Sequence, residues 1–269
     1  MTEGAAHSCG FDLEAYLRRI EYTGALAPTR ATLEALHLAH VTHIPFENLD
    51  VLLGRPIRLD LASLEAKLVL GCRGGYCFEQ NRLFAAALEA LGFGVTPLAA
   101  RVLKGTTAVL PRTHMTLVVD LDGERLLSDV GFGAEGLLLP VPMERSAVSR
   151  QFGWSYRVQE DDVHWTLQSC SGESWNDLYT FTLEAQYPVH YELANYYTST
   201  HPDSRFVQTL TAQRLAPDVR RILRNRDYLE DRAGTPSLRT LASDEEVLDV
   251  LAESFGLDFP RETRFSYRR

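Results

Sequence analysis

The sequence predicts an α+β fold, in which helices and strands occupy separate stretches of the chain. Residues 1–92 show helical periodicity, residues 93–187 show short runs of period two between turn residues, and residues 188–269 mix both signals. No internal repeat, low-complexity tract or long linker interrupts the chain. We therefore expect three regions with these boundaries that pack against one another through shared interfaces.

Caps and apolar faces predict two helices near the start of the first region. Asp12 is placed to cap a helix whose apolar face includes Tyr16, and Thr29 is placed to cap a second helix that carries Leu33. Proline lacks the N–H that a helix interior needs, so Pro45 should end this helical stretch.

A third helix should begin at about Cys77 and end at Gly92. Phe84 lies on its apolar face, and Gly92 suits the left-handed conformation that follows many helices. The pair Gly74-Gly75 predicts a tight turn just before this helix. Such a turn would deliver the Cys77 thiol to the first turn of the helix.

The second region contains a predicted β-hairpin. Residues 114–121 and 124–130 alternate between polar and apolar side chains. The Asp122-Gly123 pair between them is among the strongest signals for a two-residue hairpin loop. Strands of this kind predict a small barrel or sandwich.

The hairpin register brings a histidine close to an aspartate. With a two-residue loop, Leu121 pairs with Glu124. Counting back along both strands then makes His114 and Asp129 diagonal neighbours on one face of the sheet. Their backbones would lie about 7 to 8 Å apart, a gap that an imidazole and a carboxylate can bridge.

The third region gives fewer clear signals. A strand is predicted near Phe206 to Leu210. A helix should start with a capping box from Ser243 to Glu246 and end before Gly256.

Length, charge and hydropathy exclude several classes of protein. The 269 residues can bury a sizeable core, and the net charge of -9 argues against nucleic acid, whose phosphates are neutralised by Lys and Arg. No stretch approaches the roughly 20 apolar residues of a membrane span, and residues 1–10 lack the pattern of a signal peptide. We expect a cytoplasmic protein that binds neither membranes nor nucleic acid, with its oligomeric state left open.

The cysteine pattern predicts free thiols and no metal site. Cys9, Cys72, Cys77 and Cys170 lie in different contexts, and none forms the C-x-x-C pair of zinc or redox motifs. In a reducing compartment these cysteines should not form disulfides.

Cys77 is the candidate nucleophile. The partial positive charge and free N–H groups at a helix amino terminus stabilise a thiolate and a developing oxyanion. Asp129 would orient the His114 ring through one nitrogen, while the other nitrogen takes the thiol proton. A free cysteine is more often a small buried residue. The Arg-Gly-Gly-Tyr-Cys setting together with a His-Asp pair nevertheless favours a Cys-His-Asp triad.

Five segments of the chain resemble the arylamine N-acetyltransferase family. They are IPFENLD at 44–50, RGGYCFEQN at 73–81, RTHMTLVV at 112–119, SDVGFG at 128–133 and YTSTHPDSRF at 197–206. The second and fourth segments are highly specific, and the order and spacing of all five agree with the family. The resemblance covers nearly the whole chain.

The resemblance implies an architecture and an activity. The three regions would be a helical bundle, an antiparallel β-barrel and an α/β lid. Cys77 would be the acetylated nucleophile, His114 the general base and acid, and Asp129 the third member of the triad, in agreement with the assignment made from the residues. The implied reaction is a ping-pong acetyl transfer from acetyl-CoA, the co-substrate, to an arylamine, arylhydrazine or N-hydroxyarylamine.

Aromatic residues are candidates for the acceptor pocket. Phe132 closely follows the triad aspartate, so its ring should reach the wall of the cleft. The resemblance supports Phe132 and adds Phe206 and Phe46 as pocket residues. For the oxyanion we expect the backbone N–H of Cys77 and a second N–H near Thr113.

One loop departs from the family pattern. Many members continue after the DVGFG segment with Gly and a Thr-rich stretch, whereas this chain has Ala134-Glu135-Gly136-Leu137. This loop should flank the acceptor pocket. The preferred amine therefore stays open.

Three alternatives share parts of this pattern. The nearest is an amide synthase of the same family that forms macrolactams, which would differ only in pocket and lid. A cysteine peptidase or transglutaminase shares the Cys-His-Asp logic. A binding module with an inactive triad is disfavoured because all three residues are present.

Histidines and carboxylates near residue 45 allow other interpretations. His37, His40 and His43 repeat every three residues, but no Cys, Asp or Glu completes a metal site and helix geometry spreads the rings apart. We interpret them as packing or capping groups. Glu47 and Asp50 are expected in a solvated loop or in an interface that braces the active site, and not as catalytic acids.

Four arginines form a cluster near the end of the chain. Arg220, Arg221, Arg224 and Arg226 could receive the phosphates of an anionic co-substrate. Such a run is more often a solvated helix face, which is the interpretation we favour.

Overall fold

The computed structural model describes residues 11–103, 109–232 and 234–267. Residues 1–10, for which the sequence predicts no signal peptide, lie outside this part of the chain, and so does Cys9. The described residues combine helices with antiparallel sheets, which confirms the predicted α+β class. None of the described helices has the length and apolar character needed to cross a bilayer.

The described residues form eight α-helices. They are α1 (Leu13–Arg19), α2 (Arg30–His43), α3 (Leu49–Leu52), α4 (Leu61–Leu64), α5 (Cys77–Ala90), α6 (Pro188–Thr200), α7 (Arg205–Gln208) and α8 (Asp244–Phe255). A π-helical segment, Glu65–Leu70, continues α4.

The first two helices begin at the predicted caps. The Asp12 carboxylate accepts a hydrogen bond from the Ala15 N–H at 2.9 Å, and the Thr29 hydroxyl oxygen accepts one from the Thr32 N–H at 3.2 Å. Helix α2 ends shortly before Pro45, as expected from the missing N–H of proline.

Thirteen strands lie in the same residues. They are β1 (Phe46–Glu47), β2 (Gly94–Val102), β3 (His114–Leu121), β4 (Glu124–Ser128), β5 (Val141–Pro142), β6 (Ser149–Gln151), β7 (Trp154–Glu160), β8 (Trp165–Ser171), β9 (Ser174–Phe181), β10 (Thr211–Ala216), β11 (Val219–Arg224), β12 (Asp227–Arg232) and β13 (Thr235–Thr240).

The strands form two antiparallel sheets. The larger has eight strands in the order β5-β4-β3-β2-β9-β8-β7-β6, and β5 contacts β7, so this sheet nearly closes into a barrel. The smaller has the order β1-β10-β11-β12-β13 and thereby joins a strand from the first region to the third. Of the predicted barrel and sandwich, the structure has the barrel-like arrangement.

The hairpin between β3 and β4 has the predicted register. Leu121 pairs with Glu124, and the pairing continues back to Ser128. Asp122 and Gly123 have φ of 53° and 84°, the positive values that this class of tight hairpin loop requires. Strand β4 ends two residues before the predicted end at residue 130, because the following N–H groups bind side chains instead of β3.

The prediction of a strand near Phe206 to Leu210 is wrong. Helix α7 occupies most of this stretch, and the Ser204 hydroxyl accepts a hydrogen bond from the Phe206 N–H at 3.3 Å at its start. The strand begins only at Thr211. The sequence analysis does not predict helix α6, whose buried face carries Tyr191 with the polar Asn195 and Thr198, while apolar side chains such as Val189 and Leu193 are exposed.

The predicted capping box of α8 is present. The Ser243 hydroxyl accepts a hydrogen bond from the Glu246 N–H at 3.2 Å. Gly256 follows the helix with a φ of 68°, the left-handed conformation expected there.

Two apolar cores hold these elements together. The first joins α1, α2 and α5 to the eight-stranded sheet through fully buried residues such as Leu36, Phe84 and Leu117. The second joins α3 and α8 to the five-stranded sheet through residues such as Leu223 and Leu251. The division into domains at residues 92 and 187 stays a prediction.

The segment before α5 differs from the predicted glycine turn. The positive φ, 49°, belongs to Cys72. Gly75 lies extended beside β1, where its N–H donates to the Pro45 carbonyl at 3.3 Å and its carbonyl accepts from the Glu47 N–H at 3.0 Å. A Cβ on Gly74 would lie 2.0 Å from the Pro45 oxygen. This glycine therefore permits close backbone contact and does not form a turn.

We predict that Gly74→Ala destabilises the protein strongly. The new methyl group would overlap a backbone oxygen that cannot swing away, which should lower the free energy of unfolding by about 3 kcal/mol or more. Gly54→Ala is the matched control, because Gly54 has a φ of +68° and open space around it, so only about 1 to 2 kcal/mol should be lost. Urea denaturation of both variants gives the comparison, and equal losses would contradict the close-contact role of Gly74.

Candidate active site

Cys77 is the first residue of α5 and is 3% exposed. Its Sγ lies 3.7 Å from the carbonyl oxygen of Thr113, and Cys77 and His114 line the same cavity. An N–H in the first turn of a helix has no acceptor within that helix. The sulfur and a polarised backbone donor therefore lie side by side.

The contact predicted between His114 and Asp129 is present. His114 Nε2 lies 2.6 Å from Asp129 Oδ2, and both side chains are buried. Because Nε2 is occupied by the carboxylate, Nδ1 is the ring nitrogen that remains for Cys77. The His114–Asp129 pair is thus hydrogen-bonded as the hairpin register predicts, and Cys77 lies at the same cavity.

The electrostatics of the His114–Asp129 pair favour a protonated ring. Burial alone would lower the pKa of His114, but the charge and hydrogen bond of Asp129, followed by the influence of Cys77, raise it to about 10. Burial would raise the pKa of the Asp129 carboxyl, but His114 and then the hydrogen bonds from Asn81 and Gly131 lower it. At neutral pH an imidazolium therefore faces a carboxylate.

Asn81 joins the three segments that carry these side chains. Its Nδ2 donates to the Asp129 carboxylate at 2.9 Å and to the Met115 carbonyl at 2.7 Å. Its Oδ1 accepts from the Val130 N–H at 3.0 Å. Sequence reasoning missed this residue, and the available signal was its place one helical turn after Cys77, on the same face of α5.

Gly131 lets the loop after β4 touch α5. A Cβ at this residue would lie 2.7 Å from the Cα of Cys77 and 2.7 Å from Nδ2 of Asn81. Its N–H donates to the Asp129 carboxylate at 2.9 Å. The absence of a side chain here is what allows the triad segments to meet.

A buried ionic cluster holds the segment ahead of α5. Arg73 Nη2 lies 2.7 Å from Glu47 Oε1, and Lys67 Nζ lies 2.6 Å from Glu79 Oε1. The other oxygen of Glu79 accepts a hydrogen bond from the Tyr76 N–H at 3.0 Å. The cluster therefore fixes the backbone up to the residue before the nucleophile.

Glu47 and Asp50 belong to this cluster and not to a solvated loop. Glu47 is fully buried and Asp50 is 8% exposed. Asp50 contacts Lys67 at 3.1 Å and Arg73 at 3.3 Å. Of the two expectations for these carboxylates, the structure fits the bracing interface.

A cavity of about 320 Å³ opens onto Cys77 and His114. The three phenylalanines predicted for the pocket line it together with Thr113; they are Phe46, Phe132 and Phe206. The Phe132 ring packs edge-on to the His114 ring with centroids 5.2 Å apart. The cavity is therefore largely aromatic on the side next to the imidazole.

C-terminal elements complete the cavity wall. Tyr197 from α6, Arg205 from α7, and Ile222 and Arg224 from β11 line it, as does Glu135 from the loop after β4. Sequence reasoning assigned no pocket role to Tyr197 or Arg205, because their helices were not predicted.

The four clustered arginines lie on a strand and the turn after it, so the expected helix face is wrong. Arg220 stacks on the Trp154 ring at 4.3 Å. Arg221 pairs with Glu230 at 2.9 Å and Arg226 pairs with Asp244 at 2.7 Å. Because alternate residues of a strand face opposite ways, Arg221 faces away from Arg220 and Arg224. Arg224 alone among them lines the cavity.

The three histidines of α2 bind neighbouring groups of the protein. His37 Nδ1 lies 3.0 Å from the Leu138 carbonyl oxygen, and His40 Nε2 lies 3.0 Å from the Gln80 side-chain oxygen. His43 Nδ1 lies 2.8 Å from the carbonyl oxygen one turn earlier in α2. These contacts agree with the packing and capping interpretation.

Comparisons with known proteins extend this picture. The family model for N-acetyltransferase matches residues 29–264. Arylamine N-acetyltransferase of Escherichia coli is 40% identical over 248 residues, which cover 91% of this chain and 88% of that protein. The structure of Mycobacterium marinum arylamine N-acetyltransferase in complex with CoA superposes with a TM-score of 0.88 at 36% identity, covering 91% of this chain and 92% of the other. Proansamycin X synthase of Amycolatopsis mediterranei is 31% identical over 244 residues, or 88% of this chain and 94% of that one.

The mixed fold and the match of residues 29–264 to the family model define the class of the protein as that of the N-acetyltransferases. The Escherichia coli relative and the superposed Mycobacterium marinum structure are both arylamine N-acetyltransferases, one group within this class. The chain belongs to the arylamine N-acetyltransferase family.

We predict that Asp129→Asn lowers the pKa of His114. The amide removes the negative charge that holds the ring proton, while burial continues to favour the neutral ring. In the unmodified protein His114 should stay protonated until the pH approaches about 10, and in the variant it should lose its proton at lower pH. Imidazole ¹⁵N NMR across a pH series measures the loss of the His114 proton in both proteins. An unmodified ring that titrates near the ordinary value of about 6.5 would contradict this electrostatic arrangement.

Proposed function

We propose that the chain transfers an acetyl group from acetyl-CoA to arylamines, arylhydrazines or N-hydroxyarylamines through a thioester on Cys77. The observation that carries this proposal is the buried hydrogen bond between His114 and Asp129, beside a cavity that Cys77 and three phenylalanines also line. Family membership supports the same activity, and the CoA complex of a relative supports the donor.

The first step loads the cysteine. The Cys77 thiolate attacks the thioester carbon of acetyl-CoA, so that a carbon–sulfur bond forms and the carbonyl oxygen becomes an oxyanion. His114 holds its proton at neutral pH, because its pKa is raised, and an imidazolium stabilises the neighbouring thiolate. When the bond to the CoA sulfur breaks, this proton passes to the leaving thiolate. The ring is then neutral.

The oxyanion needs donors already in place. We assign the N–H of Cys77 to this role, because it lies in the first turn of α5 and has no acceptor within the helix. A second N–H near Thr113 is proposed, since that residue lines the cavity and lies next to the sulfur. A pair of backbone donors there would stabilise the developing charge.

The second step releases the acetyl group to the amine. The amine nitrogen attacks the thioester carbon, neutral His114 takes the proton from that nitrogen, and the carbon–sulfur bond to Cys77 breaks. The products are the amide and the original thiolate–imidazolium pair. Aromatic amines suit this step because their low basicity leaves them unprotonated at neutral pH.

Phe132, Phe206 and Phe46 are the proposed acceptor contacts. Phe132 packs against the His114 ring and Phe46 packs against Phe206 at 5.9 Å, so an aromatic acceptor would meet ring faces and edges on two sides. This arrangement would direct the amine nitrogen towards the imidazole.

The macrolactam-forming amide synthase is the main alternative within the family. It would use the same cysteine and histidine with a larger acyl donor. Proansamycin X synthase shares less identity with the chain than the acetyltransferase relative does, 31% against 40%. Hydrolysis by a peptidase-like triad is the alternative outside the family.

We predict that acetyl-CoA alone adds one acetyl group to Cys77. Intact-mass analysis should show the acetylated protein, and peptide mapping should place the group on this residue. Cys77→Ala should lose acetylation and reduce arylamine transfer by at least about 10³-fold. Cys170→Ser is the control, because this half-buried thiol lies on β8 and donates to the Gly172 carbonyl, away from the cavity. Undiminished turnover in Cys77→Ala would overturn the proposal.

The fate of the acetylated protein separates the alternatives. A panel of arylamines and arylhydrazines should remove the acetyl group faster than water does. Faster release by water would favour a hydrolase, and loading only by longer acyl donors would favour an amide synthase.

A further inference from the structure

His37 contacts both ends of the loop that follows β4. The ring is fully buried on α2. Its Nε2 accepts a hydrogen bond from the Asp129 N–H at 3.2 Å, and its Nδ1 lies 3.0 Å from the Leu138 carbonyl oxygen. A carbonyl oxygen accepts only, so Nδ1 carries the proton and Nε2 presents its lone pair.

The ring must be neutral to make both contacts. A second proton on Nε2 would point at the Asp129 N–H and replace an attraction with a repulsion. Burial lowers the pKa of His37 to about 4, so the neutral form prevails over the ordinary working range of pH.

The segment held in this way carries much of the site. Residue 129 supplies the carboxylate that binds His114, and Gly131 and Phe132 follow it beside Cys77 and in the cavity wall. Residue 138 closes the same loop. One imidazole from another element therefore fixes where the loop leaves the sheet and where it returns.

We infer that His37 is a positioning residue, whose neutral ring sets the Asp129 backbone and thereby holds the carboxylate against His114. This inference rests on the proposed function for the roles of Asp129 and His114. His37 itself touches neither the cavity nor Cys77 among the described contacts, so it would act only through Asp129 and the loop.

Two substitutions separate the contacts of the ring. In His37→Gln the side-chain oxygen reaches the place of Nε2 and keeps an acceptor for the Asp129 N–H. In His37→Asn the amide nitrogen replaces Nδ1 and keeps only the contact with Leu138.

We expect His37→Gln to stay within about threefold of the unmodified kcat, whereas His37→Asn should lower kcat by about 10- to 100-fold with little change in the KM of the amine. In His37→Asn the pH at which His114 loses its proton should also fall, because Asp129 is no longer held against the ring. Steady-state kinetics and imidazole ¹⁵N NMR measure the two effects.

His43→Asn is the matched control. His43 lies on the same helix, but its Nδ1 contacts the Ala39 carbonyl oxygen at 2.8 Å and its Nε2 lies 3.5 Å from Glu21, so neither contact involves Asp129. Its replacement should leave the titration of His114 unchanged. An equal shift in both variants, or no shift in His37→Asn, would overturn the inference.

The unmodified protein gives a test that does not depend on folding of the variants. Imidazole ¹⁵N shifts at neutral pH should show His37 neutral with its proton on Nδ1, and a charged ring or a proton on Nε2 would overturn the inference. The NMR readouts also distinguish failure of this inference from failure of the proposed function. If His114 responds as expected but no acetyl transfer occurs, the proposed function fails while the positioning contact stands.

Discussion

The carboxylate of Asp129 is a charge with almost no access to water, and the surrounding segments are arranged to satisfy it. A buried carboxylate without partners is very costly, so it needs an opposite charge and hydrogen-bond donors. His114 supplies the charge at 2.6 Å, and Asn81 and the Gly131 N–H donate at 2.9 Å each. These donors come from β3, α5 and the loop after β4. Satisfying one carboxylate therefore fixes three separate stretches of backbone relative to one another.

The sulfur is held from the other side by groups that never reach the cavity. The side-chain nitrogen of Gln80 donates to the Pro45 carbonyl at 3.1 Å and to the Gly75 carbonyl at 2.9 Å. His40 binds the oxygen of the same amide, so α2 supports the backbone just ahead of Cys77. With the cluster of Arg73, Lys67 and their carboxylate partners, this network leaves few orientations for the start of α5. Buried polar networks thus fix the backbone around both Cys77 and His114, and any group of these networks left without its hydrogen-bond partner would be costly.

A contact can be predicted from the sequence when it depends on residues that lie close together in the chain. The contact of His114 with Asp129 follows from two-residue turn chemistry and strand periodicity, which are local rules. The roles of Asn81 and His37 could not be read in the same way, because their partners are backbone groups 34 to 101 residues away. The Gly74-Gly75 pair was assigned to a turn, since close backbone contact across the fold leaves the same sequence signal as a turn. Arg220 to Arg226 were assigned to a helix because charge runs carry no period that separates strand from helix.

Strand β11 contributes side chains both to the second apolar core and to the cavity wall. Leu223 points into the second apolar core, while its neighbours Ile222 and Arg224 face the cavity. Cys77 and Phe132, by contrast, belong to the first core and its margin. A change at Ile222 or Arg224 therefore alters the cavity wall without touching the side chains that bind the Asp129 carboxylate. The fold thereby separates part of the cavity wall from the partners of its buried charge.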